Sequence, residues 1–167
     1  MFIETTCPFT VSLLSWLQMK SQELSPSLED YLETILHLET KNRVARVKDI
    51  AENLNVQMPS VTNALKNLKA RGYINYEKNS FIHLTEDGMS IASEIDSRHR
   101  IITNFLVKLL YIDTGTAEET ACKIEHSIDN GIAERIEKMV KFLTSEKMNN
   151  KTFLKEWQNA VLSDEGK

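Results

Sequence analysis

Residues 47–85 read VKDIAENLNVQMPSVTNALKNLKARGYINYEKNSFIHLT, and their periodicity decides the fold. Val47, Ile50, Ala51 and Leu54 recur at helical spacing, and 55–58 is a tight connection. Pro59 suits the first position of a further helix, where a missing N–H costs nothing. The inner face of that helix is Val61, Ala64, Leu65 and Leu68, and Gly72 after Arg71 stops it. The period then changes: 73–76 and 81–85 are short extended runs around Glu77-Lys78-Asn79-Ser80, which reads as a hairpin.

Working outward, Ser25-Pro26-Ser27 opens an earlier helix, with Ser27 as the expected N-cap and Asp30 near its positive end. Leu28, Tyr31, Leu32, Ile35 and Leu36 form its apolar stripe to about Leu38. Helix, short helix, turn, helix and hairpin is the winged helix-turn-helix order. Downstream the pattern is all helical. One helix is capped by Thr85 and runs to about 110. A second begins at Thr116, with Ala117, Ala121, Ile124 and Ile128 inward, and is broken by Asn130-Gly131. A third covers 132–142, and 151–162 forms a last short one. The expected fold is therefore mainly α, a winged helix-turn-helix followed by an all-helical dimerisation domain. Its expected division is an arm over 1–24, a DNA-binding domain over 25–90, a metal-binding and dimerisation domain over 91–145 and a helical tail over 146–167. The arm is open to two readings, a segment packing on the body or a stretch upstream of a true start at Met19.

The 167 residues carry 5 Gly and 3 Pro, too few for a loop-rich β fold, and no run is apolar enough for a membrane helix. Two cysteines, Cys7 and Cys122, fit a reducing cytoplasm better than a disulfide scaffold. The net charge is -4, yet 41–78 holds eight basic residues and three acids, so a basic module is joined to an acidic one. On the third helix Pro59, Thr62, Asn63, Lys66 and Asn67 face outward, and Ser60 joins the DNA-binding candidates. Thr62 and Asn63 are suited to base edges, and Lys66, Lys69 and the wing residue Lys78 to phosphates.

Metal-ligating groups recur at separated points. Asp30 and Glu33 lie three apart, on the face of the first helix opposite Leu28, Leu32 and Ile35. Cys122, Glu125 and His126 are spaced i, i+3, i+4 and so project from one side of their helix. His99 adds a second imidazole from the long connecting helix. Thiolate, carboxylate and imidazole together suit a borderline divalent transition metal.

The segments SPSLEDYLETI (25–35), ARVKDIAENL (45–54), PSVT (59–62) and CKIEH (122–126) resemble the diphtheria-toxin-repressor family of iron- or manganese-dependent repressors, over roughly 25–145. The resemblance implies a homodimer that binds a palindromic operator when a metal is bound, with metal-uptake genes as targets. Asp30 and Glu33 match first-helix ligands of the manganese-responsive branch. His99, Glu125 and His126 match ligands shared by both branches, and Cys122 matches the iron-type thiolate. Thr103 and Glu118 stand where iron-type members carry Glu and His, so a second iron-type site is incomplete. The small C-terminal barrel of longer members is also missing from the chain. The carboxylates favour Mn(II), with Fe(II) next and Co(II) or Zn(II) in vitro. His37 lies one turn beyond Glu33 on the same face, but its family counterpart is not a ligand; His83 belongs to the wing. No separate nucleophile or general base suggests an enzyme. The competing expectations are a winged-helix regulator of an organic ligand, or a sensor of thiol oxidation at Cys122.

Overall fold

The structure, a computed structural model, describes residues 24–77, 80–145 and 151–163. The arm, Cys7, Met19 and Lys78 lie outside the described residues.

Helix α1 spans Pro26–Asn42. Its cap is Ser25 rather than Ser27: the Leu28 amide donates to Ser25 Oγ at 3.4 Å. Pro26 takes the first helical position, where its fixed φ favours helix entry. The helix ends at Arg43, which turns left-handed at φ 63. Helix α2 (Val47–Asn53) and helix α3 (Met58–Ala70) follow, and Gly72 at φ +81 releases the chain into the wing. The wing strands are shorter than the sequence runs: β1 is Ile74–Asn75 and β2 is His83–Leu84, antiparallel with Ile74 opposite Leu84. Ile82 also bridges to Ala45, which ties the hairpin to the entrance of α2. Glu39 of α1 fastens the wing as well, accepting from His83 Nδ1 at 2.7 Å and from the Leu84 amide at 3.3 Å. His83 is thus a structural residue.

Helix α4, Glu86–Leu110, is 25 residues long, about 37 Å at 1.5 Å per residue. It belongs to both halves of the molecule. Its first turns pack Ala92 against a core of Leu32, Ile35, Ile50, Val61, Leu65, Leu68 and Ile82. Its later turns supply Ile102 and Leu106 to a second core with Ala117 and Ala121. Gly88 lets its start approach the wing, because a Cβ there would overlap the Tyr73 carbonyl oxygen. Gly88→Ala is therefore expected to cost at least about 1–3 kcal/mol through a forced backbone shift, measurable by denaturant unfolding; an unchanged midpoint would contradict this packing.

Helix α5 is Thr114–Ile124, capped by Asp113 two residues earlier than expected. It tightens into a 3-10 turn at Glu125–Ser127. The break falls at Ile128, which is extended, and Asp129 caps helix α6, Asn130–Leu143. Gly131 lies inside the new helix, because the Asp129 side chain supplies the start signal. Helix α7, Lys151–Leu162, anchors back on α4 through Trp157 Nε1, which donates to the Leu109 carbonyl at 2.7 Å.

Candidate metal centre and nucleic-acid interface

The six candidate ligands gather where α1, α4 and the 3-10 turn meet. Donor atoms of Asp30, Cys122, Glu125 and His126 lie within 4.8 Å of one another, as do those of Glu33, His99 and Glu125. Glu125 belongs to both groups and is fully buried. Cys122, Glu125 and His126 converge as their spacing predicts, but not from one continuous α-helix: Cys122 is on α5, whereas Glu125 and His126 are on the 3-10 turn. The tighter winding carries Glu125 inward and leaves Cys122 exposed.

His126 joins the two halves. Its Nε2 lies 2.9 Å from Asp30 Oδ1 and its Nδ1 2.8 Å from Glu29 Oε2. A carboxylate can only accept when ionised, so an imidazole that serves both acids must carry a proton on each ring nitrogen. Burial alone would lower its pKa, but the bond to Glu29 and the charges of Asp30 and Glu125 outweigh that and raise it. His99 donates from Nδ1 to Glu125 Oε2 at 2.7 Å, and this bond raises its pKa against burial. Glu33 is raised by burial and by the nearby Glu125 charge. The Cys122 thiol is pushed up by desolvation and by Glu125 and Asp30, the opposite of what a reactive thiolate needs.

The donor set fits a divalent cation. Glu125 Oε1 and Glu33 Oε1 are buried without a hydrogen-bond partner. Such orphaned carboxylate oxygens are costly unless a positive charge faces them, and here imidazolium protons supply part of it. A cation must therefore displace protons, and its affinity should rise with pH as His99 and His126 deprotonate above the ordinary histidine range. The stability of the metal-free protein runs the other way. Raised histidine pKa values contribute stability below the unfolded value, and that stability is lost as pH rises through the folded values. Adding Mn(II) to a weakly buffered sample near neutral pH should release protons, read with an indicator dye; none released would contradict protonated imidazoles.

On the opposite side of the first half, an open groove runs between α3 and the wing, lined by Arg46, Lys48, Thr62, Lys66, Lys69 and Phe81. Pro59, Ser60, Asn63 and Lys66 are exposed. Thr62 returns its hydroxyl to the Met58 carbonyl at 3.0 Å, and Lys69 donates to the Tyr76 carbonyl at 2.7 Å. Lys69 thus fastens the wing to α3. Arg46 and Lys48, which the sequence reading passed over, add positive charge to the groove. The Arg46 guanidinium sits 5.2 Å from the Phe81 ring centroid.

Two family models match the chain: iron dependent repressor, N-terminal DNA binding domain, over residues 23–81, and iron dependent repressor, metal binding and dimerisation domain, over 85–153. An uncharacterized HTH-type transcriptional regulator of Methanocaldococcus jannaschii is 43% identical over 114 residues, 68% of this chain and 91% of that protein. This chain belongs to the iron-dependent repressor family. It is a metal-dependent, DNA-binding transcriptional regulator whose partners are operator DNA and a second copy of itself. The HTH-type transcriptional regulator MntR of Shouchella clausii is 35% identical over 118 residues, 71% of this chain and 82% of that protein. Among solved structures, the manganese regulator SloR superposes with a TM-score of 0.63 at 29% identity, covering 71% of this chain and 55% of that one. The chain thus spans just over half the length of that structure. No described helix of the repressor is long and apolar enough to cross a membrane.

Three supporting residues escaped the sequence reading. Arg98 donates to Glu29 at 3.3 Å, to the Glu125 carbonyl at 3.0 Å and to Asn130 at 3.1 Å. It thereby holds α1, the 3-10 turn and α6 in one geometry. Its position beside His99 was the available signal; Glu29 and Asn130 gave none, because their partners are distant in sequence. Of the two positions expected to lack iron-type ligands, Thr103 leaves its hydroxyl buried without a partner and Glu118 is exposed. For the DNA face, Lys66→Ala is expected to weaken binding to all sequences alike. It should reduce the slope of log K against log salt by about 1, as loss of one phosphate contact does; an unchanged slope would place Lys66 off the backbone.

Proposed function

We propose that this repressor senses Mn(II), with Fe(II) second and Co(II) or Zn(II) as in vitro substitutes, through Asp30, Glu33, His99, Cys122, Glu125 and His126. Cytoplasmic metal-uptake genes are its targets. The observation that carries this reading is the approach of Asp30 on α1 to His126, 96 residues away, at 2.9 Å, with Cys122 and Glu125 beside them. Three carboxylates favour a hard, oxygen-seeking ion, whereas the single thiol suits Fe(II) or Zn(II), so geometry and supply rather than intrinsic affinity select Mn(II). A bound divalent cation supplies concentrated positive charge that neutralises the carboxylates and cross-links α1 to the 3-10 turn.

The protein's own residues translate that cross-link. Asp30, Glu33 and Glu29 lie on the helix whose other face packs on α2, α3 and β2. Holding α1 against α4 and the turn therefore holds the recognition helix α3 relative to the second core. In a dimer paired through the second half, this sets the separation of the two α3 helices, which must be roughly 34–36 Å to enter successive major grooves of a palindrome. Exposed Met139 and Phe142 on α6, with Phe153 and Trp157 on α7, offer the apolar surface for that pairing. The metal raises DNA affinity by favouring the competent spacing, and DNA must raise metal affinity by the same factor.

The test is operator binding titrated against Mn(II), Fe(II), Co(II) and Zn(II) without oxygen, with chelator controls and with Cys122→Ser. Tight binding that appears only with metal supports the reading. Equal binding in chelator removes the sensor, and loss of response only on oxidation of Cys122 favours a thiol sensor.

A further inference from the structure

His37, Asp96 and Glu33 form a third group of donors, on the α1–α4 seam beside the main cluster. One donor atom of each lies within 4.8 Å of the others. Glu33 and His37 are one turn apart on α1, and Asp96 comes from α4, with its Oδ1 2.9 Å from His37 Nε2. The other Asp96 oxygen is engaged by Arg100 at 3.2 Å. His37 has 57% of its side chain exposed and Asp96 23%, so the group opens to solvent. Glu33 is the inner member, and its Oε1 is buried without a hydrogen-bond partner.

From this juxtaposition we propose that Glu33, His37 and Asp96 constitute a separate, weaker divalent-cation site that shares Glu33 with the main cluster. Two carboxylates and one imidazole suit Mn(II), Fe(II), Co(II) or Zn(II), and the exposed side leaves room for water to complete the coordination. The bland alternative is a surface ion pair, worth little in stability. Such a pair accounts for His37 with Asp96. It leaves out Glu33, whose carboxylate converges on the same pair to within 4.8 Å. Glu125 and Glu33 then act as shared carboxylates along a line of three donor groups that begins at Asp30 and ends at Asp96. Glu33 belongs to both the second and third groups, and occupancy of the outer site adds a second tie between α1 and α4. The outer site is more exposed and has fewer donors, so it fills after the main cluster, at higher metal concentration. That would extend the concentration range over which the repressor responds.

This proposal is independent of which metal the main cluster prefers, and its test separates the two. The full-length protein is titrated with Co(II), following the thiolate-to-Co(II) absorption of Cys122 as the report of the main cluster. Total bound metal is counted by equilibrium dialysis with Co(II) and, separately, with Mn(II). His37→Ala and Asp96→Asn are each expected to bind one equivalent fewer than wild type at millimolar metal, or to hold the last equivalent at least 10-fold more weakly. The Cys122 band should keep its intensity and midpoint. An equivalent count unchanged in both variants overturns the outer site. Loss of the Cys122 band in either variant also overturns it, because His37 or Asp96 would then belong to the main cluster. Absence of the band in wild type refutes the Cys122 assignment alone, since the missing equivalent is still counted by dialysis. Circular dichroism confirms folding, and both substitutions lie outside the buried core.

Discussion

Replacing His126 with alanine should abolish metal-activated DNA binding while leaving basal, salt-sensitive binding in place. His126 reaches α1 twice, through Glu29 at 2.8 Å and Asp30 at 2.9 Å, from the other half of the molecule. Loss of a mere supporting partner of a metal ligand costs about 10–100-fold in affinity, so loss of a donor should cost at least about 100-fold. Without metal the variant should also be less stable, by roughly 1–3 kcal/mol, because the two acids lose the donor that satisfied them. Gel shifts against metal concentration, with thermal melts of the metal-free protein, separate the two effects. Full metal-activated binding by His126→Ala would place the sensor elsewhere.

The second large effect concerns Glu125, a carboxylate with no exposed surface. In Glu125→Gln the amide carbonyl still accepts from His99, while the buried charge is gone. The metal-free variant is expected to melt below the wild-type temperature, because His99 loses the charge that it pairs with and the buried amide gains N–H groups without an acceptor. The difference should widen with metal. Wild type at 1,000 times its dissociation constant gains about 4 kcal/mol, roughly ten degrees for a chain of this size. The variant, having lost the ligand common to both inner donor groups, should gain little. Calorimetry with and without Mn(II) reads both halves. An equal metal-induced shift in the two proteins would mean that Glu125 is only a structural acid.

Both predictions rest on one feature: His126 and His99 each lie within hydrogen-bond distance of an acid of the donor cluster. A cation entering the cluster is expected to displace histidine protons. The seam also extends farther than expected, since His37 pairs with Asp96 one turn beyond Glu33.

What the linear order of residues determined by itself was the succession of elements and the chemical types at the site. Local rules suffice for that. Apolar spacing sets the helical faces of 26–42 and 58–70, a glycine at positive φ ends the latter, and paired extended runs make the wing. Ligand identity needs only side-chain chemistry. The tertiary structure alone decided which carboxylate oxygens lack a hydrogen-bond partner, which histidines pair with acids and which basic residues are engaged. Ser25 displaces Ser27 as the cap, Lys69 spends its ammonium on the wing, the helix tightens at Glu125, and Arg98 and Glu29 enter the support of the site. Each depends on a partner many residues away or on burial. A hydrogen bond or a desolvated charge is a property of two surfaces brought together, and periodicity along one strand of sequence carries no information about the second.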